Sequence, residues 1–121
     1  MTRNVSNMAR QADIADLSLF NVPYILATSK RTSWRRETFA TGQAIANVLT
    51  DEGLTTVNLR DRFAGSPEQF DVKFGDLTTK GFDFACTGFQ RWLENQDRWK
   101  TERTVAKLEA ALRKQLDKFR K

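Results

Sequence analysis

At 121 residues the chain suits one domain, and with 40% hydrophobic and 11% aromatic residues it carries enough apolar mass to bury a core. It contains no histidine, which removes Ser–His–Asp chemistry, histidine general bases and nearly all zinc sites, and its single cysteine, Cys86, excludes an intrachain disulfide. The formal net charge of +5 is unevenly placed: residues 1–90 hold ten Lys/Arg against ten Asp/Glu and residues 91–121 hold ten against five, so the whole excess lies in the C-terminal segment.

Residues 1–12 mix charged and polar types, lack the apolar stretch of a signal peptide and read as weakly ordered. Residues 13–121 read as a single globular domain ending in a basic amphipathic helix. No apolar run approaches membrane-spanning length, so the expected setting is cytoplasmic, with no membrane contact. The lone thiol fits a reducing compartment.

The segment DIADLSLFNVPYILATS places Tyr24, Ile25 and Leu26 just after Pro23, which predicts an extended segment or edge strand packed across the helices. The stretch TSWRRETFATGQAIANVLTDEG predicts a helix, capped by Thr32 or Ser33 and ended by Gly53. At 100° per residue Trp34, Thr38, Thr41, Ile45, Val48 and Leu49 share its inner face, and Phe39 lies off it.

Thr55 or Thr56 is placed to cap a short helix through Phe63, with Leu59 and Phe63 one turn apart. Ser66, Pro67 and Gln69 then supply an N-cap, an N1 proline and the third position of a capping box, predicting a further helix over 67–74 that buries Phe70 and Phe74. A strand over 70–74 competes, because Phe, Val and Phe alternate with Asp and Lys. Two short capped helices joined by a tight turn with a small residue resemble the generic helix-turn-helix pattern over about a fifth of the chain. That pattern carries no family assignment, and the second helix would present Glu68, Asp71 and Asp76 against Lys73, a charge balance that a phosphate backbone repels.

A fourth helix is predicted from a cap at Asp76, Thr78 or Thr79, with Ala85, Phe89, Trp92 and Leu93 inward. The last segment carries Val105, Leu108, Leu112, Leu116 and Phe119 at helical spacing. The two stripes differ by roughly 150° around a common axis, so a break near 95–101 is needed for both to face one core. The predicted class is therefore mainly α, with four or five helices, a helix-turn-helix-like corner and an extended N-terminal segment. The alternative is α+β, with short strands at 22–27, 56–60 and 70–74.

Two clusters suit an acidic partner. Lys30, Arg31, Arg35 and Arg36 surround Trp34 at a helix N-terminus, a mixture that fits phosphate contact with base stacking and also protein contact. Arg113, Lys114, Lys118, Arg120 and Lys121 crowd the end of the last helix, where cations also complement the helix dipole. That helix is in addition a candidate surface for pairing two copies.

No nucleotide-binding glycine loop or HExxH pattern is present, and Cys86, flanked by Phe82, Phe84, Ala85 and Phe89, reads as a buried, inert thiol. No catalytic role, cofactor or metal is expected; Asp71 and Asp76 are carboxylates of the kind that bind Mg²⁺, but scattered acids on helices are usually solvated. The expected function is that of a small nucleic-acid-binding or regulatory protein making largely sequence-independent contacts through its basic clusters. The alternative is a protein-binding module, such as an adaptor, inhibitor or immunity-like partner, without nucleic acid.

Overall fold

A computed structural model describes residues 14–28, 34–96 and 104–120. The predicted weak order of residues 1–12, the caps Thr32 and Ser33, and the side chain of Trp34 lie outside what it describes. The protein is mainly helical with one small sheet. In chain order it runs β1 (Ser18–Asn21), α1 (Val22–Thr28), α2 (Trp34–Asp51), α3 (Leu59–Gly65), a 3-10 turn (Pro67–Gln69), β2 (Asp71–Lys73), a second 3-10 turn (Phe74–Asp76), α4 (Thr79–Ala85), α5 (Gly88–Gln96) and α6 (Val105–Arg120).

The N-terminal segment is extended, but over Ser18–Asn21 and not over 22–27. Asn21 closes the strand and accepts the Tyr24 amide on Oδ1 at 3.0 Å, starting α1. Pro23 then falls in the first helical turn, where its missing N–H leaves no hydrogen bond unmade. The turn position that Pro23 suggested for a strand is thus equally good for a helix, and the Asn21 cap decides between them.

α2 lies at the centre, packed by α1, α3 and α6. Thr38, Ile45, Val48 and Leu49 are buried as predicted, and so are Ala44 and Ala46, because neighbours cover more than one side of the helix. Phe39 is half-buried against the core, with the Arg35 guanidinium 5.0 Å from its ring centre. Gly53 ends the helical segment at φ 69°, a conformation that a side chain would strain.

α3 buries Leu59 and Phe63 as expected, but its cap is Asn58, whose Oδ1 accepts the Asp61 amide at 2.9 Å. Thr55 instead joins an isolated antiparallel bridge to Leu77, so no strand forms at 56–60.

The predicted helix over 67–74 does not form. Pro67–Gln69 makes a single 3-10 turn, the Ser66 side chain makes no capping bond, and Phe70 is extended at φ −61°, ψ 122°. Asp71–Lys73 then pairs antiparallel with β1, placing Phe20 opposite Val72 and Asn21 opposite Asp71. The helix-turn-helix corner is therefore absent. Two local caps cannot offset the nucleation cost of an eight-residue helix. Extended backbone buries Phe70 and Val72 on one side, both fully, and satisfies the main chain against β1.

Thr78 caps α4 through a 3.1 Å bond from the Gly81 amide. The predicted fourth helix is two, because the chain turns at Cys86 and Thr87 before α5. Ala85, Phe89 and Trp92 are buried and Leu93 is half-buried, as the stripe required. Cys86 is exposed, contrary to the expectation of a buried thiol. Its apolar neighbours do turn inward, but the turn between α4 and α5 directs position 86 outward. α5 and α6 are separate helices, as the opposed stripes demanded, with 97–103 outside the described residues. Leu108, Leu112 and Leu116 seal α6 onto a single core shared by all the helices and both strands.

Candidate nucleic-acid interface

The clusters expected to meet an acidic partner are at opposite ends of α2. Asn47 donates to Glu109 at 2.8 Å, Arg113 meets Asp51 at 3.2 Å and Arg120 meets Glu52 at 2.8 Å, so α2 and α6 run in the same direction. The first turn of α2, carrying Arg35 and Arg36, is therefore about 20 Å or more from the level of Arg113 and Lys114, by helical rise alone. Lys30 and Arg31 lie outside the described residues, as does Lys121.

Arg35 is exposed but engaged. It pairs with Glu68 of the first 3-10 turn and stacks on Phe39, tying the start of α2 to the segment before β2. Arg36 is exposed.

The cations of α6 divide by side. Arg113 contacts Asp51, Glu52 and Glu109, and Arg120 contacts Glu52, while Arg60 of α3 also reaches Asp51. Asp51 ends α2 and Glu52 follows it, at the C-terminal end of the helix where the dipole disfavours carboxylates. Arginines from α3 and α6 supply the opposing charge, so Arg113 and Arg120 serve the fold.

Lys114 and Lys118 turn the other way. They are exposed, and Lys107 is exposed with them. At 100° per residue the three lysines fall within an arc of about 40°. No ion pair joins them to a described residue, and no acid of α6 lies in the arc: Glu109 faces α2, and Asp117, one turn after Lys114, lies about 60° outside it on the side toward Arg113. The apolar stripe of α6 is buried within the chain.

Lys107 is missing from the sequence-level clusters because those grouped residues by closeness in sequence. Projection of the cations, like that of the leucines, separates Lys107, Lys114 and Lys118 from Arg113 and Arg120.

The carboxylates considered for a cation are held by protein groups. Asp71 accepts the Ser18 hydroxyl at 2.7 Å. Asp76 accepts from Arg62 at 2.8 Å and from the Lys73 amide at 3.0 Å. Partial burial raises the Asp76 pKa, but the hydrogen bonds from Arg62 and Lys73 and their positive charges outweigh it and hold the carboxyl below its ordinary value. Among the described residues no helix is long and apolar enough to cross a membrane. Comparison with protein-family models, curated proteins and solved structures found no match to this chain.

Proposed function

We propose that the chain is a small nucleic-acid-binding protein that grips the phosphate backbone through the outer face of α6, largely without regard to base sequence. One observation carries this reading: Lys107, Lys114 and Lys118 share one exposed arc, while the arginines of the same helix are turned to the acids of α2. Structural needs account for the arginines and leave the lysines for solvent or a partner. Lysine suits contact with phosphate as a compact, strongly hydrated point charge. Phosphate contacts position a protein on nucleic acid without reading its sequence.

Retention on heparin and on DNA-cellulose across a salt gradient tests the reading. The full chain is expected to bind both at low salt and to elute as salt rises, while Lys107→Gln/Lys114→Gln/Lys118→Gln elutes markedly earlier with unchanged thermal stability. A chain that ignores DNA and RNA at low salt would overturn it and turn attention to an acidic protein surface as the partner.

A further inference from the structure

The lysine row does not stand alone. Phe84 and Phe119 have ring centres 5.4 Å apart, and Gly88 lies against Gln115, whose Cγ would stand 3.4 Å from a methyl placed on that glycine. Phe84 lies in the last turn of α4 and Gly88 starts α5, so the chain entering α5 meets the last turns of α6; the two helices pack together across a short connection, the arrangement of antiparallel neighbours. Arg91 is exposed and follows Gly88 by three residues, on the side of α5 next to α6. Projected from their buried faces, Arg91 on α5 and the lysines on α6 both turn toward the outer groove between these helices. Arg91 sits roughly level with the middle of the lysine row.

We infer that this α5–α6 groove is the docking surface for a nucleic-acid duplex, holding one phosphodiester backbone with Lys107, Lys114 and Lys118 on one lip and Arg91 on the other. The inference rests on the nucleic-acid reading above. Charge complementarity selects a polyanion. The row spans about 16 Å along a rigid helix, and the phosphates of a duplex are already held on a fixed path over that distance, whereas a single strand must be ordered to present them. The aromatic rings of these helices do not offset that ordering, because Phe89 and Trp92 are buried against each other with centres 5.5 Å apart and Phe119 packs on Phe84. Base stacking on exposed rings is what binds single strands tightly.

The test follows the affinity of the full chain for a mixed-sequence DNA duplex, and for a single strand of equal length, as salt is varied. Four phosphate contacts give a slope of log K on log salt of about −3.6, or roughly 150-fold weaker binding at 200 mM than at 50 mM salt. Arg91→Gln should lower that slope by about one ion's worth, and Arg91→Lys should restore it. The duplex should bind more tightly than the single strand at each salt concentration. An unchanged slope in Arg91→Gln, or tighter binding of the single strand, overturns the groove assignment while nucleic-acid binding stands. No binding to either DNA at low salt overturns both.

Discussion

The Arg113 guanidinium lies 3.2 Å from the Asp51 carboxylate, joining the middle of α6 to the last residue of α2. The same side chain reaches Glu52 at 3.6 Å and Glu109 at 3.2 Å, so one cation answers three acids. This arrangement gives a C-terminal helix two different charged sides. Arg113→Ala should therefore lower stability by about 1 kcal/mol, the scale of a partly exposed ion-pair network, and leave nucleic-acid affinity nearly unchanged. Lys114→Ala should do the reverse. Urea unfolding and a binding titration on both variants would check the split, and an affinity loss in Arg113→Ala matching that of Lys114→Ala would contradict it.

Asp76 links α3 to the sheet, since Arg62 also donates to the Asp71 carbonyl at 3.1 Å. Its folded pKa is below the unfolded one, so its charged form contributes stability that is present above the unfolded pKa of about 3.9. That contribution is lost as pH falls through the folded pKa. Asp76→Asn should lower stability at neutral pH by roughly 1–3 kcal/mol, as expected for hydrogen bonds to a charged group. The gap from the parent protein should close in acid. A constant gap from pH 7 to pH 2 in chemical denaturation would rule out this origin.

Gly81 sits in α4 where a Cβ would run into the Leu54 carbonyl oxygen. Alanine in a helix interior normally gains about 1 kcal/mol over glycine. Here the clash is with backbone of a neighbouring segment, and overpacking of that kind costs about 1–3 kcal/mol or more. The clash should win, so Gly81→Ala is expected to lower the urea midpoint. A raised midpoint would mean that α4 shifts freely against Leu54.

Cys86 is exposed at the turn between α4 and α5. A small thiol reagent should modify it in the folded protein at a rate approaching that of the unfolded chain. Protection by orders of magnitude would show that the turn is closed over the thiol.

Thr38 is buried to 3% exposure and its hydroxyl has no hydrogen-bond partner. An unmatched buried hydroxyl is unfavourable by about 1–3 kcal/mol, and valine keeps nearly the same shape. Thr38→Val should raise the unfolding temperature. A fall would reveal a bond that the hydroxyl makes in solution.

Much of the helical framework is legible without coordinates. The faces of α2 and α6, the Gly53 stop, a helix cap among Asp76, Thr78 and Thr79 and the need for a break between the last two stripes all follow from periodicity and local chemistry, and the structure selects Thr78 as the cap. These are short-range properties, decided within one or two turns. Of the candidate site, Lys114 and Lys118 were visible as charge, and Lys107 was recoverable by projecting the cations around the helix.

What the sequence by itself determined is thus the mainly helical class, the inner faces of its long helices and the concentration of positive charge at the C-terminal end. Tertiary structure alone decided two matters. It made 71–73 a strand, because β1 was present to pair with it and extended backbone buries both Phe70 and Val72. It also decided which cations were neutralised, because Asp51 and Glu52 lie about sixty residues before Arg113 and Arg120 in the chain and meet them only when α2 and α6 pack side by side. Both outcomes depend on a partner distant in sequence, and local propensity carries no information about such a partner.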